Sequence, residues 1–436
     1  MDIAVIGSGI SGLSSAWLLS GQHRVTLFEQ EKRAGGHSNT VDVPTNGADL
    51  PVDTGFIVYN EATYPNLTAL FAHLEVPTKA SDMSFAVSLD DGALEYSGTD
   101  LKGLFAQRGN LVNLRFWAML RDLVRFYRSA PADADTIGLM SLDQYLTENG
   151  YGDAFRHDHL YPMAAAIWST PAEHIGRYPV ASFVRFCENH SLLKLAGRPA
   201  WRTVDGGSRQ YVQRLKSAFK GDVRLDSGVQ RVDRLSDHVV LTLVDGSKER
   251  FDKVVVATHA DQALRLLDSP SALEQRVLGA FTYTQNRAVL HRDERLMPKR
   301  RRVWSSWNYA SRRKGADPAL CVTYWMNRLQ GIDDATPLFV TLNPIREPAP
   351  AQVIRSEVYD HPVFDAAAIR AQQQLWTLQG MQNTWYCGAY FGSGFHEDGL
   401  QSGLAVAEAL GGVRRPWTVI GESDRIVLPA AVALAS

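Results

Sequence analysis

Residues 1–29 read MDIAVIGSGISGLSSAWLLSGQHRVTLFE. The apolar run at residues 3–6 has no polar interruption and predicts a buried parallel strand. It leads into a turn with glycine at positions 7, 9 and 12, and then into an apolar helical pattern. A second apolar strand at residues 24–28 ends on Glu29. Strand, glycine turn, helix, strand and acid in this order predict a dinucleotide-binding unit of the α/β class.

Each part of this unit has a physical role. Gly7 permits the tight turn, Gly9 lets a pyrophosphate approach the backbone, and Gly12 lets the helix pack closely on the strand. The free N–H groups at the start of the helix would face the phosphates. Glu29 would accept hydrogen bonds from both hydroxyls of an adenosine ribose. A glycine-rich turn that binds no nucleotide is the alternative, and the ordered context disfavours it.

The stretch after the second strand distinguishes the possible dinucleotides. Residues 29–38 read EQEKRAGGHS, an E-x-x-x-R-x-G-G run that a plain nicotinamide-binding unit does not need. The run resembles the extended FAD fingerprint of the flavin amine oxidase and phytoene desaturase superfamily. In that family the arginine and the glycine pair, here Arg33 and Gly36, hold the diphosphate and ribityl parts of FAD. Many relatives have arginine after the glycine pair, whereas this chain has His37, so one phosphate contact is expected to be absent or replaced.

The resemblance implies a Rossmann-like FAD-binding domain with an inserted substrate domain of mixed sheet and helices, α/β in class and α+β overall. The FAD-binding domain is predicted to comprise residues 1–75, 200–275 and 376–436, and the substrate domain residues 76–199 and 276–375. Strands are predicted at residues 223–232, 238–244 and 250–257.

Two further segments resemble flavin-contacting motifs of the same family. Residues 53–57, DTGFI, resemble a D-x-G segment that lies close to the flavin ring. Residues 385–407 predict a strand, a glycine-rich loop and a small-residue helix beginning at Leu400, like the last flavin motif of the family. The N–H groups of Gly399 and Leu400 would face the pyrimidine carbonyl, where a helix N-terminus stabilises the charge of reduced flavin. Cys387 precedes the loop, so we expect FAD to be non-covalent.

The predicted cofactor-binding residues come from all of these segments. They are Gly7, Gly9, Ile10, Ser11, Gly12, Glu29, Gln30, Arg33, Gly36, His37, Ser38, Gly55, Phe56, Ile57, Val229, Ala257, Asp398, Gly399, Leu400 and Ser402. By the same resemblance, Val229 sits where the family often contacts the adenine side through its backbone, and Ala257 ends a buried strand that resembles the family's second nucleotide-side strand.

Composition limits the class of function. The chain has 45 Lys and Arg against 47 Asp and Glu, a net charge of −2, so its overall charge does not favour nucleic acid as a partner. Its three cysteines are widely spaced without metal-ligand spacing, which fits a reducing compartment and predicts neither a disulfide scaffold nor a metal site. A core strand at the first residues leaves no room for a cleavable signal, and no apolar stretch approaches the roughly 20 residues of a spanning helix. We expect a cytoplasmic protein.

Hydride transfer from carbon to flavin needs positioning and exclusion of water rather than a nucleophile. The insertions contain few lysines and are rich in Leu, Phe, Trp and Met, which favours an apolar substrate over a free amine. The predicted cavity wall comprises residues 160–169 together with Phe183, Phe186, His190, Leu192 and Leu193. The candidates for a general base or an orienting group are His396, Glu397 and His291. Tyr59 is either a substrate contact or a core tyrosine.

Residues 53–56, 290–293, 297–298 and 304–309 together resemble a bacterial subgroup of FAD-dependent oxidoreductases encoded beside cyclopropane-fatty-acid-synthase-like methyltransferases. That resemblance implies oxidation or desaturation of a modified, phospholipid-linked acyl chain, with a lipid methyltransferase as partner. One alternative is a flavin amine oxidase, in which Tyr59 and Tyr390 would form part of an aromatic cage. Another is a flavoprotein that presents lipid to the methyltransferase without turning it over.

Two basic segments bear on membrane contact. Residues 107–130 form a predicted amphipathic helical stretch with five arginines among its apolar positions, and residues 299–302 place four cations beside Trp304 and Trp307. Each segment would address anionic lipid at the inner membrane face. The preferred interpretations are an ordinary packed helix and a solvated turn whose aromatic residues belong to a sheet, because amphipathic helices usually pack on their own protein.

Overall fold

The structure is a computed structural model that describes residues 1–45, 47–134, 136–168, 175–189, 192–194, 197, 199–312 and 321–429. Ser169 and His190 of the predicted cavity wall lie outside the described residues. None of the helices that the structure describes has the length and apolar character of a membrane-spanning segment.

A parallel sheet joins the segments predicted to bind FAD. Among the described residues its strands are, from edge to edge, Asp222–Arg224, Arg24–Phe28, Asp2–Ile6, Lys253–Val256 and Thr384–Tyr386. Each neighbouring pair is parallel, and Ile3 is aligned with Val25 on one side and Lys253 on the other. Ile3, Ala4 and Val5 are fully buried, as their uninterrupted apolar run predicts. The predicted α/β class is confirmed.

The first and last motifs of the chain lie side by side. Helix Ile10–Leu19 follows the glycine turn and packs against helix His396–Gly411. The approach is close because Gly403 has no side chain: a Cβ there would lie 2.3 Å from the carbonyl oxygen of Ser11. Each of these helices follows a strand of the parallel sheet, so both begin at the same edge of that sheet.

The insertions contribute a second, mixed sheet. In order across the sheet, its described strands are Val353–Val363, Thr282–His291, Phe339–Leu342, Cys321–Trp325, Trp307–Ser311, Phe85–Leu89 and Leu94–Ser97. Its neighbouring strands are antiparallel except for Trp307–Ser311 beside Phe85–Leu89. Smaller antiparallel sheets are formed by Val229–Arg234, Val239–Leu243 and Lys248–Phe251, by Tyr59–Asn60, Trp201–Val204 and Thr78–Ser81, and by the hairpin of Thr40–Val43 with Leu50–Asp53.

The structure describes twelve further α-helices. They are Pro65–His73, Leu101–Leu104, Leu114–Asp133, Leu142–Glu148, Asp153–Phe155, Tyr161–Trp168, Val180–Asn189, Arg209–Ala218, Ala260–Leu266, Ala272–Leu278, Met326–Gln330 and Ala366–Gln372.

The predicted strand at residues 223–232 is wrong as a single element. The chain pairs with the parallel sheet only over Asp222–Arg224, and then turns at Asp226, whose φ is 53°. The N–H of Asp226 donates to the carbonyl of Glu31, and that of Ser227 to the carbonyl of Glu29. These bonds draw the chain out of the parallel sheet before the antiparallel strand Val229–Arg234 begins. The predicted strand at residues 250–257 likewise divides into two.

The C-terminal helix begins earlier than predicted, at His396 rather than at Leu400. The carboxylate of Asp398 accepts hydrogen bonds from the N–H groups of Phe395 (2.8 Å) and Ser393 (3.0 Å). This acid in the first turn caps the helix, so the segment predicted as the end of a loop is helical.

Candidate functional site

A cavity of about 1160 Å³ lies at the carboxyl ends of the parallel strands. Ile6, Phe28, Ala257 and Gly388, each at or just beyond the end of a different parallel strand, line it, and Trp307 of the mixed sheet lines the opposite side. Ligands of open α/β sheets bind at this edge. The volume exceeds the range of about 300–1,000 Å³ usual for ligand pockets, which leaves room for a dinucleotide and a substrate together.

The glycine turn presents bare backbone to this cavity. Gly7 has a φ of 98°, and a Cβ there would lie 2.8 Å from the carbonyl oxygen of Ala257. A Cβ at Gly9 would meet no atom within 4 Å, whereas one at Gly12 would lie 1.8 Å from the carbonyl oxygen of Gly7. Ile10 and Ser11 also line the cavity. The turn is therefore open at Gly9 and closely packed at Gly12.

Glu29 is held at the cavity wall by the same turn. Its Oε2 accepts hydrogen bonds from the N–H (3.0 Å) and the hydroxyl of Ser8, and its Oε1 accepts from the N–H of Glu31 at 2.9 Å. Gln30 lies beside it on the wall. The carboxylate is thus oriented before any ligand binds.

The glycine pair of the fingerprint packs closely against the glycine turn. Gly36 has a φ of 55°, and a Cβ there would lie 3.1 Å from the Cα of Gly9. The guanidinium of Arg33 donates to the carbonyl of Gly36 at 2.8 Å and also lines the cavity. The two motifs that the sequence singled out therefore form one wall.

The middle segment reaches the cavity at Gly55, Phe56 and Ile57. Gly55 permits this approach, since a Cβ there would lie 2.1 Å from the carbonyl oxygen of His37. Asp53 is buried behind them, where it accepts hydrogen bonds from Thr40 and Ser208. Burial raises the pKa of Asp53 to about 6. On the adenine side predicted from the sequence, Val229 lines the cavity.

His396 is the sequence-predicted catalytic candidate that lies at the cavity. Its ring stacks on Phe56 with centroids 3.7 Å apart, and its Nε2 lies 3.0 Å from the hydroxyls of both Ser38 and Tyr211. Burial lowers the pKa of His396 to about 3, so the imidazole is neutral at neutral pH. Ser38 itself does not line the cavity, but its hydroxyl contacts the His396 ring, which does.

The other three candidates lie elsewhere, and their predicted catalytic role is not supported by their positions. Tyr59 is buried against Phe71, with ring centroids 5.2 Å apart, as the core alternative predicts. His291 is fully buried in the mixed sheet, 2.7 Å from the Thr341 hydroxyl. Glu397 is fully buried and caps helix Pro65–His73. The side chain of a residue next to a motif can point to either side of its helix or strand. Packing decides which side it is, and the sequence motif does not.

The last flavin motif is also placed differently from the prediction. Because the helix begins at His396, the N–H of Gly399 donates within the helix to the carbonyl of Phe395 at 3.1 Å. The prediction that Gly399 and Leu400 present free N–H groups is therefore wrong. Asp398 caps the helix, and Ser402 holds Gly388 by accepting from its N–H at 3.0 Å. These residues position the wall, and Phe395 and His396 form it.

A cluster of imidazole and phenol rings surrounds His37. Its ring centroid lies 5.1 Å from that of Tyr359, 5.7 Å from His361 and 6.1 Å from His259. Burial first, and then the neighbouring histidines, lower the pKa of His37 well below its ordinary value. Burial also lowers the pKa of His361 to about 4. His37 is thus neutral and does not supply the permanent cation of an arginine. No group of acids, histidines and cysteines in the described part of the chain is arranged to hold a metal ion.

The sequence interpretation missed three of these residues, and one of them, Tyr359, lies two residues before His361 on the same strand. His259 comes just after the buried strand Lys253–Val256, at the same sheet edge as Glu29, and that position was the signal that could have found it. His361 lies on the long edge strand Val353–Val363, whose pattern carries no such signal.

Tyr390 lines the cavity and is almost fully buried. Its hydroxyl has no hydrogen-bond partner among the described residues. The predicted aromatic cage of Tyr390 with Tyr59 does not form, because Tyr59 packs into the core instead. Cys387 precedes this segment in the chain; its thiol is buried, which raises its pKa to about 12.

Residues 10–410 match the family model described as flavin containing amine oxidoreductase. The chain belongs to the flavin-containing amine oxidoreductase family. It is an FAD-dependent oxidoreductase. The cavity fits the cofactor: the open space at Gly9, the oriented carboxylate of Glu29 and the closely packed glycine pair suit the diphosphate and ribose of FAD. No curated protein matches the chain in a sequence search.

Solved structures with the same fold cover nearly the whole chain. A CLA-producing fatty acid isomerase from P. acnes has a TM-score of 0.67 at 15% identity, with 94% of this chain and 97% of that chain covered. A putrescine oxidase bound to putrescine has a TM-score of 0.64 at 14% identity, covering 94% and 98%. The cyclohexylamine oxidase from Brevibacterium oxydans IH-35A has a TM-score of 0.65 at 16% identity, covering 94% and 99%. At these identities the likeness concerns the fold.

Proposed function

We propose that this FAD-dependent oxidoreductase oxidises or desaturates a fatty acyl chain. The apolar wall that the insertions place opposite the FAD motifs carries this proposal. It includes Met83, Ile167, Trp168, Phe186 and Leu192 of the insertions, and Trp201 lies on the same cavity wall. A wall of this kind binds an alkyl chain through its buried apolar area and excludes water from the reacting carbons. The fatty acid isomerase that has the same fold supports an acyl substrate.

Bound FAD supplies the acceptor for a hydride from the substrate carbon. Desaturation also releases a proton from the neighbouring carbon, and this proton would pass to solvent, because the lowered pKa of His396 makes its imidazole a weak base. His396 lies on the wall, and its Nε2 is within hydrogen-bond distance of two hydroxyls, so these hydroxyls fix the orientation of its ring. The predicted lipid methyltransferase partner and inner-membrane location stay predictions.

A flavin amine oxidase is the second candidate, and Asp360 is the observation that favours it. Asp360 lines the cavity, and its buried Oδ1 has no hydrogen-bond partner among the described residues, so it would pair with an ammonium group. Against this, the lysine on the described wall is Lys32, which belongs to the FAD fingerprint rather than to the insertions. The expected aromatic cage is also not formed.

Anaerobic reduction of the bound flavin distinguishes these functions. The purified holoprotein is mixed with phospholipids that carry unsaturated or methylated acyl chains and, in parallel, with putrescine. We expect the lipid to bleach the flavin and to lose two hydrogens by mass spectrometry. Bleaching by the amine alone would overturn the acyl proposal, and bleaching by neither would favour the lipid-presenting flavoprotein.

Two neighbouring tryptophans, Trp307 on the cavity wall and Trp304 outside it, allow a matched test of the wall's role in substrate binding. Trp307 lines the cavity, whereas Trp304 packs against Trp325 and Phe339 in a separate cluster. We expect Trp307→Leu to raise the KM for the acyl substrate about tenfold or more, because it removes apolar contact with the chain. Trp304→Leu should leave this KM unchanged. Equal effects of the two substitutions would contradict a substrate-binding wall.

A further inference from the structure

Five large apolar side chains are exposed within a single short stretch of the chain. Leu101 is 75% exposed, Leu111 52%, Val112 83%, Leu114 84% and Trp117 47%. We call these five residues the exposed apolar face. Single exposed apolar residues are normal on a protein surface, but a group of them marks a contact site.

The exposed apolar face is held by ordered backbone. The side chain of Asn113 accepts hydrogen bonds from the N–H groups of Arg115 and Phe116 and so caps helix Leu114–Asp133. The indole of Trp117 donates to the carbonyl of Leu111 at 3.0 Å. These bonds fix the backbone between residues 111 and 117, where four of the five exposed side chains lie.

Helix Leu114–Asp133 bears on the two interpretations of this stretch, which are an ordinary packed helix and a helix that contacts anionic lipid. Its apolar stripe, with Phe116, Met119, Leu123 and Phe126, is buried in the protein, as an ordinary packed helix requires. The four residues of the exposed apolar face between positions 111 and 117 lie outside this stripe, at the entry to the helix. One segment thus contains both a packed helix and most of the exposed apolar face.

Cations are frequent in the same stretch of chain as the exposed apolar face. Residues 101–128 contain six Lys and Arg and one acid, Asp122. Arg115 pairs with Asp158, and Arg121 with Asp122. In the part of the chain that the structure describes, Lys102 and Arg108 are exposed and form no ion pair.

The fold adds a further cation from a distant part of the sequence. Helix Leu101–Leu104 packs against the turn Arg301–Val303. Arg302 in that turn is exposed and, within the described residues, has no ion pair. The two basic segments singled out in the sequence therefore meet at one surface, where apolar side chains and cations are combined.

We propose that the exposed apolar face docks on the surface of an anionic lipid membrane. Its leucines, valine and tryptophan enter the boundary between headgroups and acyl chains, while Lys102, Arg108 and Arg302 contact the lipid phosphates. A second copy of this chain is a poorer partner, because a self-contact would bring the same cations together. The inference is independent of the proposed function, since docking requires no turnover.

Flotation of the holoprotein with vesicles tests the proposal. We expect binding to vesicles of equal parts phosphatidylglycerol and phosphatidylcholine, weakening as salt is raised, and little binding to phosphatidylcholine alone. The triple variant L111S/V112S/L114S should bind at least about tenfold more weakly, because it removes the inserted side chains. K102E/R108E should weaken binding to a similar degree.

Val244→Ser with Ile420→Ser is the matched control, because these apolar residues are 73% and 97% exposed and far from residue 117 in the chain. This control should bind vesicles as the native chain does. Failure of the native protein to bind, or equal binding by the triple variant, would overturn the proposal. So would a concentration-dependent dimer, measured by light scattering, that the triple variant abolishes, because it would assign the face to self-association.

Discussion

Gly9 and Gly12 lie three residues apart in one turn but have different surroundings. The space next to Gly9 is open, whereas Gly12 is in contact with the backbone of Gly7. Gly9→Asn keeps a good N-cap residue, so the free energy of unfolding of the apoprotein should change by less than about 0.5 kcal/mol. FAD affinity should fall about 100-fold or more, because the side chain fills the space of the diphosphate. Flavin fluorescence titration measures this loss.

Gly12→Ala is the comparison for that variant. Its Cβ would overlap the carbonyl oxygen of Gly7, so we expect the apoprotein to lose about 1–3 kcal/mol of stability in urea unfolding. Similar destabilisation by both substitutions would show that Gly9, too, is a packing position.

At the scale of elements, Glu397 joins the C-terminal helix to helix Pro65–His73. Its carboxylate accepts from the N–H groups of Asn66 and Leu67, each at 3.0 Å, and from the side-chain amides of Asn66 and Gln401. Glu397→Gln turns an N–H₂ group toward these donors, so the free energy of unfolding should fall by about 2–3 kcal/mol. The flavin spectrum and the turnover at low temperature should stay the same.

The exposed Glu148→Gln is the control for this prediction and should change stability by less than about 0.5 kcal/mol. Full stability of Glu397→Gln together with a displaced pH profile of turnover would instead restore the catalytic role predicted for Glu397.

At the scale of the whole molecule, buried neutral histidines make stability depend on pH. Burial lowers the pKa of His291 and of His361 to about 4 and that of His396 to about 3, from an ordinary value of 6.5. Between pH 6.5 and about 4 the unfolded chain takes up protons that the folded chain does not, so the free energy of unfolding falls as the pH falls. Each histidine contributes up to about 3 kcal/mol to this loss.

Urea unfolding at pH 7.5 and at pH 5, with excess FAD, measures the effect. His361→Asn should reduce the loss of stability between the two pH values, while His157→Asn, at an exposed position, should leave it unchanged. An identical loss for the native chain and His361→Asn would contradict the neutral state assigned to the buried ring.

The sequence by itself determined the parts of this protein that depend on local backbone requirements. Uninterrupted apolar runs specify the parallel strands, and the glycines, Glu29 and the glycine pair specify the wall for the dinucleotide, because a pyrophosphate needs bare backbone at stated spacings.

Only the tertiary structure decided which side chains share a surface. It brought His259 and His361 to the cavity and left Tyr59 and His291 in the core, because the direction of a side chain depends on which face of its sheet is packed. The last helix begins at His396 because Asp398 caps it there. Distances between elements far apart in the chain are set by packing, and no local pattern encodes them.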